Sequence, residues 1–173
     1  MQTRALLTNL LRYLGWFAAA VVLFVLLDFM IDVRPPEVHQ SYRFRVPELV
    51  DDKPLILRQD NLSILVIRRS EKTIARLQQI GPGLQDPESR RSHQPDYARN
   101  RLRSKAARHF VAYALGTHLG CPLAIETTSV TETCSSARYD FAGRALAGEH
   151  RFQNLEIPDY TFADDLTILT IRP

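Results

Sequence analysis

The longest apolar run in the chain lies near its N-terminus and predicts a membrane-spanning helix. Residues 13–31 read YLGWFAAAVVLFVLLDFMI, and Asp28 is the only charged residue among them. A helix of this length covers roughly 28 Å, close to the hydrocarbon thickness of a bilayer. The run is long for a signal peptide and is not followed by an A-x-A-like cleavage site, which favours a retained signal anchor. Because it is apolar on every face, it also suits a soluble core helix poorly.

The charges on either side of this run predict its orientation. Arg4 and Arg12 precede it, whereas Asp28 and Asp32 lie at its other end. The positive-inside rule therefore places the N-terminus in the cytoplasm and the chain after the helix outside. This indicates a single-pass protein of the bacterial inner (cytoplasmic) membrane. The predicted parts are a cytoplasmic N-terminus (1–12), a transmembrane anchor (13–33), a linker (34–41) and a periplasmic domain (42–173).

After the linker, short apolar runs separated by turn residues predict an all-β domain. Residues 42–46 alternate between apolar and polar, as expected for a half-buried strand. Residues 54–57, 64–67 and 110–115 are further strand candidates, and residues 70–77 have a helical pattern that ends before a Gly-Pro-Gly turn. The predicted fold is a small antiparallel barrel or sandwich behind one N-terminal transmembrane helix. Further core positions are predicted at 124–125, 130, 139–141, 155–157 and 166–171.

Composition and charge add one feature, a basic segment over about residues 81–108. The chain has 173 residues, of which 45% are hydrophobic and 24% charged, and its net charge of +3 gives no reason to expect nucleic-acid binding. Much of the basic excess lies in this polar, turn-rich segment, which we interpret as a solvated insertion. A contact with an acidic partner or with anionic lipid headgroups is the alternative. The basic residues are Arg90, Arg91, Arg99, Arg101, Arg103, Lys105 and Arg108.

The chain contains two cysteines, Cys121 and Cys134. In an exported domain such a pair is typical of a disulfide. A redox switch is the alternative, but neither C-x-x-C spacing nor a thiolate-activating helix supports it.

Two motifs around these cysteines resemble those of Rieske iron–sulfur proteins. Residues 116–121 read GTHLGC and residues 134–140 read CSSARYD. They are similar to the two cluster-binding boxes of the family, C-T-H-L-G-C and C-x-C-H-G-S-x-Y-D. Residues 54–69, 84–87 and 154–162 are also similar to the family in order and spacing. With the N-terminal anchor, the likeness is greatest to the Rieske subunits of cytochrome bc-type quinol–cytochrome c reductases.

The resemblance implies a changed cluster site. A Rieske [2Fe–2S] cluster is held by two cysteine thiolates and two histidine imidazoles. Glycine offers no side-chain donor, and glutamate is a hard oxygen ligand at a site that selects sulfur. We therefore expect the cluster to be absent and the four positions to be vestigial. The positions that match the family's ligands hold Gly116, His118, Glu132 and Ser135.

The resemblance also implies that Cys121 and Cys134 form the disulfide that ties the two loops together in the family. Such a bond closes a loop of about 14 residues and should contribute on the order of 3 kcal/mol.

The same loops carry residues of two further chemistries. His118, Glu132 and His150 offer three nitrogen and oxygen ligands that could hold zinc. A single retained histidine is more often packed and hydrogen-bonded, so we assign no metal and keep His118 as a weak candidate only. Ser135 and Ser136 near His118 lack a nucleophile elbow and a third orienting group, so no catalytic residue is assigned.

The function predicted from these motifs is that of a non-catalytic, Rieske-like accessory subunit of a respiratory electron-transfer complex or supercomplex. Its expected partners are an authentic Rieske subunit or cytochrome b and c subunits, together with membrane lipid. Two alternatives stay open at this point. One is an electron-transfer subunit whose cluster has unconventional ligands, and the other is a free-standing periplasmic binding module that uses the basic segment.

Overall fold

A computed structural model describes residues 2–30, 41–79, 83–148 and 152–172 of the chain. It divides into two compact units, with the boundary between residues 38 and 39. Most of the predicted linker, the Gly-Pro pair at 81–82 and residues 149–151 lie outside the described residues.

The N-terminal unit contains a single described helix, α1 (Gln2–Met30). Its segment Leu6–Phe29 is long and apolar enough to cross a membrane, and none of it is buried in the structure. Trp16 and Phe24, for example, are 77% and 69% exposed. Soluble proteins rarely expose a continuous apolar surface of this size. The predicted apolar N-terminal helix is therefore confirmed, and it fits a single-pass membrane anchor. The helix begins well before residue 13, whereas residues 31–33 of the predicted anchor are not described.

The second unit is built from three antiparallel sheets of three strands each within its described residues. The strand orders are β1-β9-β8, β2-β3-β4 and β5-β6-β7. This confirms the predicted class, a small all-β domain that follows one apolar helix in the sequence. The strands are β1 (Tyr42–Arg45), β2 (Leu55–Gln59), β3 (Leu62–Arg68), β4 (His109–Tyr113), β5 (Leu123–Ile125), β6 (Val130–Glu132), β7 (Arg138–Tyr139), β8 (Asp159–Phe162) and β9 (Ile168–Arg172).

Strand β3 forms the centre of the core. Its residues Ile64 and Ile67, like the two between them, are fully buried, so neither face of the strand meets solvent. This explains the continuous apolar run in place of an alternating one. The β2–β3 turn is made by Asp60, whose φ of 52° is in the left-handed region that Asp tolerates, and by Asn61.

Helix α2 (Glu71–Gln78) follows β3 and confirms the helical pattern at residues 70–77. Ser70 caps it, because its Oγ accepts a hydrogen bond from the backbone N–H of Thr73. The helix buries Thr73, Ile74 and Leu77, which lie on one face of the helix.

Two of the predicted core stretches were wrong in part. Ala124 and Ile125 are exposed, because β5 turns only Leu123 inward. In the predicted stretch 166–171, Leu166 and Ile168 are also exposed, whereas Leu169 and Ile171 are buried. The strand β8 was not predicted, although it pairs with β9 along its whole length.

The basic segment is not wholly a solvated insertion. Arg103 has no exposed surface, and Asp86, Ala98 and Ser104 are buried with it. The guanidinium of Arg103 donates hydrogen bonds to the backbone oxygens of Gly143 and Leu155 at 3.0 and 2.7 Å. The interpretation as a solvated loop is therefore wrong at Arg103, which instead holds the segment against the core. The other basic residues of the segment are exposed.

Candidate functional site

The residues that match the two Rieske boxes lie in two loops and in the adjoining parts of strands β6 and β7. The first loop, residues 114–122, connects β4 to β5, and the second, residues 133–137, connects β6 to β7. A disulfide between Cys121 and Cys134 links them, with a Cα–Cα distance of 6.0 Å. The backbone N–H of Gly116 donates to the oxygen of Cys121 at 2.8 Å and closes the first loop. The predicted disulfide is therefore confirmed.

Glu132 lies at the end of β6, where it is fully buried beneath the first loop. Its Oε1 accepts hydrogen bonds from the backbone N–H groups of Leu119 and Cys121 at 2.9 and 3.0 Å. Its Oε2 accepts one from the hydroxyl of Ser135 at 2.5 Å. The carboxylate therefore joins both loops through hydrogen bonds as well as lying beside the disulfide that links them.

The environment of Glu132 favours its charged form. Burial acts to raise the pKa of this carboxyl, but the hydrogen bonds from Ser135 and from the backbone of Leu119, Cys121 and Gly120 outweigh it. The net effect holds the pKa of Glu132 below its ordinary value. A buried carboxylate that accepts several N–H and O–H bonds is stabilised as the anion.

Gly116 and Glu132 are sterically matched. A Cβ atom at Gly116 would lie 2.4 Å from both Cδ and Oε1 of Glu132, and 2.6 Å from its Cγ. Such contacts are far inside van der Waals distance, so any larger residue at 116 requires the glutamate to move. The Glu132 side chain therefore fills the space that a side chain at position 116 would occupy. Both residues were singled out from the sequence, but their contact was not; the only signal was a small residue at one matched position and a large residue at another.

Tyr139 holds the first loop through its side-chain hydroxyl. Its hydroxyl accepts a hydrogen bond from the backbone N–H of Thr117 at 2.8 Å and contacts the Thr117 hydroxyl at 3.1 Å. The ring is fully buried and packs edge-on against Phe152 at 5.4 Å. Burial raises the pKa of Tyr139, so its hydroxyl keeps its proton at neutral pH.

His118, the retained imidazole of the matched positions, is only half-buried. Its ring packs against Phe152 at a centroid distance of 5.7 Å. His150, the third residue of the zinc set that was weighed and not assigned, lies outside the described residues. Among the described residues, one close group of possible metal ligands consists of Cys121, Glu132 and Cys134. Both of its sulfurs are used in the disulfide, so neither is a thiolate ligand.

The donor set does not fit a Rieske cluster. Such a cluster needs two thiolates and two imidazoles. Of the four matched positions, His118 alone carries one of these groups. Gly116 has no donor, and the Glu132 carboxylate lies where a side chain at 116 would project. The hydroxyl of Ser135 donates its hydrogen bond to that carboxylate.

The charge on Glu132 should make the domain sensitive to acid. Because its folded-state pKa is lowered, its contribution to stability is present above the unfolded pKa of about 4.3 and is lost as pH falls through the folded value. We expect Glu132→Gln to remove part of the decrease in unfolding free energy below about pH 5. We expect Ser135→Ala, which removes one donor to the carboxylate, to make that decrease shallower. Urea titrations at a series of pH values measure both effects. If the decrease in unfolding free energy at acid pH were unchanged in Glu132→Gln, Glu132 would not be its source.

Comparisons with known proteins agree with the motifs. No family model matches the chain. It is 31% identical over 118 residues to the ubiquinol–cytochrome c reductase iron–sulfur subunit of Allochromatium vinosum, covering 61% of this chain and 57% of the relative. It is 27% identical over 163 residues to the subunit of the same name from Rhodospirillum rubrum, covering 90% and 84%.

The chain thus aligns to little more than half the length of the first of these relatives. A solved structure titled hyperthermophilic respiratory Complex III has a similar chain, at 16% identity and a TM-score of 0.47, covering 91% of this chain and 94% of the other. The two sequence relatives, both named as iron–sulfur subunits, confirm the resemblance that the motifs predict.

Proposed function

We propose that this chain is a membrane-anchored, Rieske-like subunit of a quinol–cytochrome c reductase-type complex that carries no [2Fe–2S] cluster and acts structurally. The observation that carries the proposal is the contact between Gly116 and Glu132. The two sequence relatives are named as iron–sulfur subunits of ubiquinol–cytochrome c reductase, which supports a place in a complex of that type.

The interactions of Glu132 support a structural role for the rebuilt loops. Removing a cluster from a buried site would leave backbone N–H groups and loop ends without their partners. Here the carboxylate accepts the N–H groups of Leu119 and Cys121, and the disulfide ties the two loops together. The loops are therefore held by the protein's own groups. A domain stabilised in this way can present a fixed surface to a neighbouring subunit without a redox centre.

We infer that the domain lies in the periplasm of a bacterial cell. Arg4 and Arg12 precede the apolar segment, and Asp28 lies at its far end, as the positive-inside rule requires for that orientation. A disulfide between Cys121 and Cys134 also suits an oxidising compartment. In this location the expected partners are an authentic Rieske subunit or the cytochrome b and c subunits of the complex.

The test is made on the full chain, extracted in mild detergent and then separated from its partners. Electron paramagnetic resonance of the dithionite-reduced protein is recorded, and iron and acid-labile sulfide are assayed on the same sample. We expect no Rieske-type signal and no stoichiometric iron or sulfide on this chain. A signal that stays with the isolated chain would instead identify an electron carrier with unconventional ligands.

The same extraction tests the assignment to a complex. Before the separation step, we expect cytochrome subunits to co-purify with a tagged copy of the chain. Extraction as a lone monomer with no cytochrome would contradict the subunit role and favour a free-standing binding module.

A further inference from the structure

A cleft separate from the Rieske-like loops lies between helix α2 and the β5-β6-β7 sheet. Three arginines line it: Arg76 from the last turn of α2, Arg138 from β7, and Arg144 from the turn after β7. Its volume is about 320 Å³. Leu77 and Leu146 contribute apolar lining. Three guanidinium groups at one small cleft concentrate positive charge on one ligand-sized space.

Arg144 is the most unusual of the three because it is 3% exposed and incompletely paired. Its Nε donates to Oδ2 of Asp140 at 2.8 Å. Its Nη1 is buried and has no hydrogen-bond partner among the described residues. Buried donors are normally paired, and an unpaired guanidinium N–H costs free energy. Arg144 lines the cleft, so an anion bound there would lie beside this incompletely paired guanidinium group.

The one carboxylate in the lining, Asp140, forms an ion pair with Arg144 and balances only one of the three arginine charges. Oδ1 of Asp140 accepts the backbone N–H groups of Ala142 and Arg144 at 2.8 and 3.0 Å, and its Oδ2 accepts Arg144 Nε. Both carboxylate oxygens of Asp140 therefore accept hydrogen bonds from residues of the same turn. Arg76 and Arg138 form no salt bridge with any residue that the structure describes. The lining thus carries a net positive charge, with two exposed guanidinium groups able to meet a ligand.

We propose that this cleft binds a phosphate group through Arg76, Arg138 and Arg144. Guanidinium groups match phosphate oxygens in geometry and charge, and several of them around one small cleft favour a compact, multiply charged oxyanion. The phosphate can come from free inorganic phosphate or from the headgroup of an anionic phospholipid. This site is independent of whether the Rieske-like loops hold a cluster.

The test uses the full chain in a neutral detergent and isothermal titration calorimetry at constant ionic strength. One arm titrates inorganic phosphate, and the other titrates a soluble phosphatidylglycerol with short acyl chains. The variants are Arg76→Gln and Arg138→Gln, both at exposed positions. The matched control is Arg58→Gln, which removes the same charge from an exposed position of β2 outside the cleft.

We expect one saturable site per chain, with the dissociation constant raised about ten-fold by each cleft variant and unchanged by Arg58→Gln. Saturation by inorganic phosphate identifies the free ion as sufficient. Saturation by the lipid alone, with the same arginine dependence, supports the site and identifies a headgroup as the source. If neither probe saturates, or if Arg58→Gln weakens binding as much as the cleft variants do, the proposal is overturned.

Discussion

Replacing Gly116 with alanine is expected to lower the free energy of unfolding by about 2–3 kcal/mol, because the added methyl group displaces the buried, hydrogen-bonded Glu132 carboxylate. The new Cβ would lie 2.4 Å from Cδ and Oε1 of Glu132. To move away, the carboxylate must give up the N–H groups of Leu119 and Cys121 or the Ser135 hydroxyl. A urea titration of the full chain, followed by far-UV circular dichroism, measures the loss.

A second variant separates this contact from a general intolerance of the loop. In a Glu132→Ala background the atoms that meet the new Cβ are gone, so adding Gly116→Ala should cost less than about 1 kcal/mol. Gly148→Ala is the matched control, because nothing lies within 4 Å of a Cβ placed there. It should change stability only slightly. If Gly116→Ala were equally costly in both backgrounds, the steric match between positions 116 and 132 would not explain the glycine.

The sequence predicted the parts of the fold that depend on local pattern. Apolar runs at 64–67 and 110–115 correspond to β3 and β4, and the capped segment after Ser70 corresponds to α2. The order of the two boxes predicted that Cys121 and Cys134 meet. The strands and the helix are encoded within a few residues of sequence, whereas the disulfide was implied by an exported cysteine pair and by the resemblance to the family.

Features that depend on long-range partners could not be read in the same way. Strand β8 contains Asp159 and Thr161 and has only Tyr160 fully turned to the core, so its short pattern carries little signal without its partner β9. Ile125 has an apolar side chain typical of the core but faces solvent, because no other described element packs over that side of its sheet. The burial of Arg103 was hidden because its acceptors, such as the oxygen of Leu155, are distant in sequence.

The candidate site was predicted to the level of residue identity and no further. The motif alignment placed Gly116, Glu132 and Ser135 at three ligand positions, and the structure brings these three together. The motif alignment could not explain why these three residues occur together. The glutamate occupies the space beside the glycine and accepts the serine hydroxyl, so the three residues depend on one another. The sequence comparison showed a small residue at one matched position and a large one at another, but it could not show that the two positions share one space.

Arg103→Ala is expected to destabilise the domain by about 3–5 kcal/mol, because it leaves a cavity and several buried oxygens without their donor. The Arg103 guanidinium donates to Oε1 of Gln94 and to the backbone oxygens of Ala142, Gly143 and Leu155. Burial lowers the pKa of Arg103 to about 10, which still leaves it charged at neutral pH. Alanine would leave these carbonyl oxygens without their donor in a dry environment.

Arg99→Ala is the control for charge, because it removes another arginine of the same basic segment. Its guanidinium pairs with Asp96 at 3.0 Å, but the two side chains are 70% and 94% exposed. An ion pair that exposed is worth at most about 1 kcal/mol, so the loss should be small. Parallel urea titrations of the two variants therefore separate anchoring from charge. Equal losses would mean that Arg103 contributes only as one more surface cation, whereas a large loss at Arg103 alone identifies it as the residue that fixes the basic segment to the core.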